Sequence, residues 1–265
     1  MQVKLLEKSK DKNKASFILK SIPPETANMI RRYIINEVPT MAIETVEFVQ
    51  NSSILYDEII AHRLGLMPLT TDLKSYFLPE KCKCKGAGCA RCTVKLTLKS
   101  KGPCTLVAGE FKSKDPKIKP VYSKTPIVKL LKKQDMELMA TAMLGKGKVH
   151  TKWSPGLAYY KYKPIIEINQ SLVKDANKVK ESCPVDVFKV ENNKLKVNEA
   201  DLHKCHLCGA CQELSDGVKL KEDENEIIFY LESWGQLPVK EIINEALDIF
   251  KEDLDEFVEA LKAAK

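Results

Sequence analysis

Apolar and polar positions recur with recognisable periods along most of the chain. Residues 2–20 read as a hairpin, with VKLLEK and ASFILK flanking the polar turn SKDKNK. Ser21-Ile22-Pro23-Pro24-Glu25 opens a helix, since proline suits a first turn whose N–H groups need no partner. Ala27, Ile30, Ile34 and Val38 then follow at spacings of three and four, widened by Met29 and Tyr33, and the helix is predicted to reach about Glu37 before Pro39. The β-branched stretch Thr40–Gln50 reads as a strand, and Asp57–Leu64 as a short helix stopped by Gly65. TVKLTLK alternates strictly, which predicts one buried face for Val94, Leu96 and Leu98. From Leu73 to about Lys163 strands shorten and Gly, Pro, Lys and Cys concentrate, as in an insertion; PIIEIN at 164–169 and EIIFYLES at 226–233 return to the opening pattern. A last helix starts at Pro238. Val239, Ile243, Ala246, Phe250, Leu254, Phe257 and Leu261 form its main stripe, with Ile242, Leu247, Ile249 and Val258 beside it. At 1.5 Å per residue it spans about 37 Å, and its wide apolar surface calls for cover on two sides, one of them from a partner.

Composition narrows the class. With 265 residues, 44% hydrophobic and 30% charged, the chain reads as one large or two modest globular domains. No run approaches the roughly 18 apolar residues of a membrane span, and MQVKLLEKSKDK lacks a signal-peptide core, so a cytoplasmic protein with no membrane contact is expected. The net charge of +7 is unevenly spread: residues 81–163 carry 20 basic and 4 acidic side chains, and residues 216–265 carry 6 and 14. The basic stretch lacks interleaved aromatics for base stacking and gives little warrant for direct DNA contact.

Nine cysteines are anomalous in a reducing compartment, where clustered thiols more often bind metal than form disulfides. Cys205, Cys208 and Cys211 stand at successive x2 spacings, and Cys183 precedes a proline. Three closely spaced thiolates and a remote Cys-Pro fit one cubane iron–sulfur cluster, with 4Fe–4S favoured over 3Fe–4S because all four ligands are present. A second ferredoxin-like site is erased: Val173, Ala176 and Val179 occupy the places of its triplet, and Ser215 that of its remaining cysteine. Zinc competes for such thiolates, but usually draws on two separated pairs. Cys82, Cys84, Cys89 and Cys92, with Gly86 and Gly88 among them, form another set that suits either tetrahedral zinc or two local disulfides. Cys104 is left over as a small apolar residue.

Catalytic constellations are absent: the sequence has no phosphate loop, dinucleotide fingerprint, zinc-protease helix or nucleophile elbow. His62, His150, His203 and His206 read as structural or loop histidines.

Two stretches carry a family resemblance. Asn28–Glu44, Asn51-Ser52-Ser53 and Asp57–Leu69 resemble the alpha motif of RNA polymerase assembly subunits, and Gly145-Lys146-Gly147-Lys148-Val149-His150-Thr151-Lys152-Trp153-Ser154-Pro155 resembles another conserved segment of that family. The likeness extends over essentially the whole chain and is to the archaeal D-subunit family, kin to the bacterial alpha subunit and the eukaryotic third-largest subunit. It implies a non-catalytic subunit of a nucleotidyltransferase that heterodimerises with the small alpha-like L subunit and supports assembly of the N and P subunits and the large catalytic subunits. It implies dimerisation through the first and last helices, here Ile30, Ile34, Val38, Ile243, Phe250, Leu254 and Phe257. Many members carry a ferredoxin-like insert. The eukaryotic relatives hold zinc with C-x-C-x3-C-x2-C, whereas here the middle spacing is x4, so zinc and disulfides both stay open.

The expected fold is α+β. An interrupted dimerisation domain (1–38, 164–170 and 223–265) carries a β-rich insert (39–163) and a ferredoxin-like iron–sulfur domain (171–222). The competing class is a ferredoxin-type electron-transfer protein.

Overall fold

The computed structural model describes residues 2–264. In chain order the elements are β1 (Gln2–Lys8), β2 (Lys14–Lys20), α1 (Pro24–Asn36), β3 (Pro39–Asn51), α2 (Asp57–Gly65), β4 (Thr93–Lys101), β5 (Cys104–Val107) and β6 (Lys112–Ser113). They continue with β7 (Pro126–Leu130), β8 (Asp135–Lys146), β9 (Gly156–Ile168), α3 (Ala176–Glu181), β10 (Phe188–Glu191), β11 (Lys194–Val197), α4 (Ala210–Leu214), β12 (Val218–Ser233) and α5 (Val239–Ala263). The fold is mixed α+β. Two compact units share the chain: the first takes the residues up to Glu7, Ser16–Asn28 and Tyr159–Tyr230, and the second takes Lys8–Ala15, Met29–Ala158 and the residues from Leu231 on.

The second unit is β-rich. Its main sheet has the order β3-β8-β4-β6 with antiparallel neighbours, and β5 pairs separately with β7. Period-two alternation puts Val94, Leu96 and Leu98 of β4 and Met136, Leu138, Ala140, Ala142 and Leu144 of β8 into one core, as the TVKLTLK pattern predicts. Helix α2 adds Ile60 and Leu64 to that core beside Met41 and Ile43 of β3. Close packing fixes the end of β8: a Cβ on Gly145 would lie 2.3 Å from the Trp153 ring, and one on Gly147 would lie 2.0 Å from the Ile35 carbonyl oxygen. Thr40 Oγ1 donates to the Trp153 carbonyl at 2.7 Å, and Lys146 meets Glu37 at 2.8 Å. In α5, Val239, Ile242 and Ala246 are buried, while Tyr33 of α1 meets Phe250 edge-to-face at 5.2 Å and its hydroxyl donates to Asp253 at 2.9 Å.

The first unit contains most of a sheet with strand order β1-β2-β12-β9; β2, β9 and β12 each run on into the second unit. Both β9 and β12 are longer than the sequence pattern predicts, because their early residues, such as VKLKEDEN in β12, carry no continuous apolar face. A smaller substructure follows β9. There α3 and the β10–β11 hairpin enclose Val179, Phe188, Leu195, Cys211 and Val218. Asn192 and Asn193 turn that hairpin with φ of 51° and 59°, the backbone of a tight type I′ turn.

Candidate functional site

Cys82, Cys84, Cys89 and Cys92 lie in the second unit, between a short turn at Pro79–Lys81 and the start of β4. Their four sulfurs all lie within 4.8 Å of one another. Sulfur separations are 3.4 Å for Cys82–Cys84, 3.5 Å for Cys82–Cys89, 3.5 Å for Cys84–Cys92 and 3.8 Å for Cys89–Cys92. A tetrahedral zinc site with Zn–S of about 2.3 Å has edges of about 3.8 Å, so these four could hold such an ion. Every cysteine of the chain is a free thiol, and none of these separations is near the roughly 2.05 Å of a disulfide. The x4 spacing does not prevent convergence. Lys85, Gly86 and Gly88 take φ of 53°, 83° and 84°, and these left-handed positions fold the extra residue back. The Cys89 backbone amide, followed by the Cys82 thiol, pulls the Cys84 pKa down to about 5, while burial pushes that of Cys92 up to about 12.

The other set lies in the first unit. Cys183 follows α3, Cys205 and Cys208 lie on the loop before α4, and Cys211 is within α4. All four line one pocket, walled by Ile166, Val187, Phe188 and Leu220. Left-handed backbone at Leu207 (φ 60°) and Gly209 (φ 82°) curls the loop, and the Val187 N–H donates to Cys183 Sγ at 3.5 Å. Cys205 and Cys211 are buried, which pushes both thiols up; Cys208 is exposed. The positions read as an erased second site are filled with hydrocarbon. Val179 is in the local core, Val173 and Ala176 pack against it, and the buried Ser215 hydroxyl accepts from the Gly217 N–H at 3.2 Å. Three residues near this loop carry no sequence signal: Lys161, Tyr230 and Glu7 each contact the segment His203–Cys205. His203 is accordingly no free loop residue, its Nε2 standing 3.1 Å from Glu7 Oε1. His150 caps a single turn, accepting at Nδ1 from the Lys152 N–H.

The helix residues expected at a dimer interface divide sharply. Ile34 and Val38 are 0% exposed and covered by their own chain. A 3.6-residue stripe identifies an apolar face without saying which neighbour covers it. Ile30, Ile243 and Phe250 are half-buried, whereas Leu254 and Phe257 are 47% and 61% exposed. Leu247, Val258 and Leu261 extend this open face. Among the described residues no helix is long and apolar enough to cross a membrane.

Within the β-rich unit, residues 41–156 match the model of the RNA polymerase Rpb3/RpoA insert domain. Over 261 residues the chain is 36% identical to the DNA-directed RNA polymerase subunit Rpo3 of Methanosphaera stadtmanae, covering 95% of this chain and 96% of that protein. It is 39% identical to Rpo3 of Methanosarcina mazei (98% of each chain) and 38% identical to Rpo3 of Pyrococcus furiosus (99% and 97%). The chain belongs to the archaeal Rpo3 family of DNA-directed RNA polymerase subunits.

Proposed function

We propose that this chain is the alpha-like assembly-platform subunit of a DNA-directed RNA polymerase. It pairs with the small alpha-like L subunit, and the pair receives the N and P subunits and the large catalytic subunits. One observation carries the pairing: Leu254, Phe257, Val258 and Leu261 form an apolar face on α5 that its own chain leaves open, in a protein akin to Rpo3 over nearly its full length. Covering such a face is the usual driving force of an obligate interface, here of the order of 1,600 Å² or more. Nucleotidyl transfer belongs to the other subunits, in keeping with the lack of catalytic motifs in the sequence. The organisation proposed is a dimerisation domain from 1–38, 164–170 and 223–265, an insert at 39–163, and a ferredoxin-like domain at 171–222, in a cytoplasmic protein.

Cys183, Cys205, Cys208 and Cys211 would hold one iron–sulfur cluster. The fit rests on four cysteines around one largely apolar pocket and a backbone N–H directed at Cys183 sulfur, the type of contact that tunes such clusters. The 4Fe–4S form follows from the four ligands, with 3Fe–4S as the form that has lost an iron. Cys82, Cys84, Cys89 and Cys92 would hold zinc rather than two disulfides, because four mutually adjacent thiols suit one ion better than two bonds. The electron-transfer alternative is disfavoured by the hydrocarbon that fills the second cluster position, which leaves no neighbouring centre for relay.

Co-expression of the tagged chain with the small alpha-like subunit tests the reading. A one-to-one complex that recruits the large subunits, with iron and about one zinc per chain, is expected. A stable monomer that ignores this partner overturns it.

A further inference from the structure

Three strands of the first unit's sheet each extend a side chain to the segment carrying Cys205. From β9, Lys161 Nζ donates to the Cys205 carbonyl at 2.7 Å and stands 5.4 Å from the centroid of the Tyr230 ring. From β12, the Tyr230 hydroxyl donates to the His203 carbonyl at 3.0 Å, and its ring is stacked on Tyr159 at 4.7 Å. From β1, Glu7 meets His203. Tyr230 and Glu7 would suffice to anchor the loop mechanically. Lys161 adds something they do not, a cation partly withdrawn from water. Its side chain is half-buried, with the ammonium seated on the Cys205 carbonyl. An ammonium is costly to desolvate without an anion nearby. A carbonyl and a ring face compensate it only partly, and the four thiolates of a loaded site would supply the rest.

We propose that Lys161 is a positioning and charge-tuning residue for the cluster held by Cys183, Cys205, Cys208 and Cys211, fixing the Cys205 loop and favouring the reduced state. This rests on the iron–sulfur reading above. Reduction adds one electron to a site that is already anionic, with no bond made or broken and no proton required. A cation beside a ligand therefore stabilises the reduced state more than the oxidised one.

The test uses the full-length chain purified without oxygen, with iron counted and the one-electron midpoint titrated with dithionite and mediator dyes under electron paramagnetic resonance. Lys161→Gln keeps a hydrogen-bond donor and removes the charge; Lys161→Arg keeps both. The Gln variant is expected to hold iron but to shift the equilibrium about tenfold toward the oxidised form, about 59 mV lower, while the Arg variant stays near wild type. If the Gln variant loses its iron, the Arg variant decides: loading with the wild-type midpoint supports the inference, and loading with a lowered one overturns it. A loaded Gln variant with the wild-type midpoint overturns it while leaving the cluster reading intact. A wild-type chain that binds no iron overturns both.

Discussion

Single residues set the tolerances of the β-rich unit. Gly145 lies against the Trp153 ring so closely that the Cβ of an alanine would meet it at 2.3 Å. Gly145→Ala should destabilise the chain by about 1–3 kcal/mol, read as a lower midpoint in denaturant, because a ring packed in a core yields poorly. Electrostatics act here on a smaller scale. The Lys117 ammonium, with help from the Ser75 hydroxyl and the Lys74 N–H, holds the Asp72 carboxyl down to about 2. Its folded pKa lies below its unfolded value, so the stability it contributes is present above about pH 4 and is lost as pH falls toward 2. Lys117 is largely exposed, which limits the contribution to about 1 kcal/mol or less. Asp72→Asn should therefore flatten the acid limb of the stability curve between about pH 4 and 2 while leaving its slope near neutrality unchanged.

At the scale of elements, α5 is two helices in function. Its first turns are anchored by Val239, Ile242 and Ala246, and its later turns expose Leu254 and Phe257. Phe257→Glu should leave the melting temperature of the isolated chain within a few degrees of wild type and abolish co-purification of the small alpha-like subunit. The helix itself was legible from spacings of three and four, and so was the buried face of β4. What local periodicity could not reveal was the source of the cover. Ile34 and Val38 have the same pattern as Leu254 and Phe257, yet the former pair is enclosed by its own chain. Both cysteine sets were legible because seven of their eight members are close in sequence, at spacings that thiolate chemistry favours. Lys161 was not, since it reaches Cys205 across 44 residues and lysine carries no spacing rule. The first half of β12 escaped for another reason: its run of charged residues, KEDEN, carries no apolar alternation.

For the whole molecule, the two cysteine sets belong to different compact units, so their losses should be separable. Replacing Cys205, Cys208 and Cys211 with Ser should remove iron and amide-exchange protection around residues 171–222, while zinc content and protection of the helix at Val239–Ala263 persist. Replacing Cys82 and Cys92 should do the converse, releasing zinc and loosening residues 82–92 with iron retained. Loss of both metals from either variant would mean that the two sites are one cooperative structure.

The path of the chain carries a further consequence, for its synthesis. β2 pairs with β12, which lies about 200 residues downstream, and neither compact unit is built from one continuous segment. At about 5–20 residues per second, the first hairpin waits on the ribosome for roughly 10–40 s before its neighbour is made. Throughout that interval its β2 edge offers unpaired backbone groups to any other strand. Slowing translation late in the message should raise aggregation of this protein more than slowing it early, a dependence that a chain folded one segment at a time would not show.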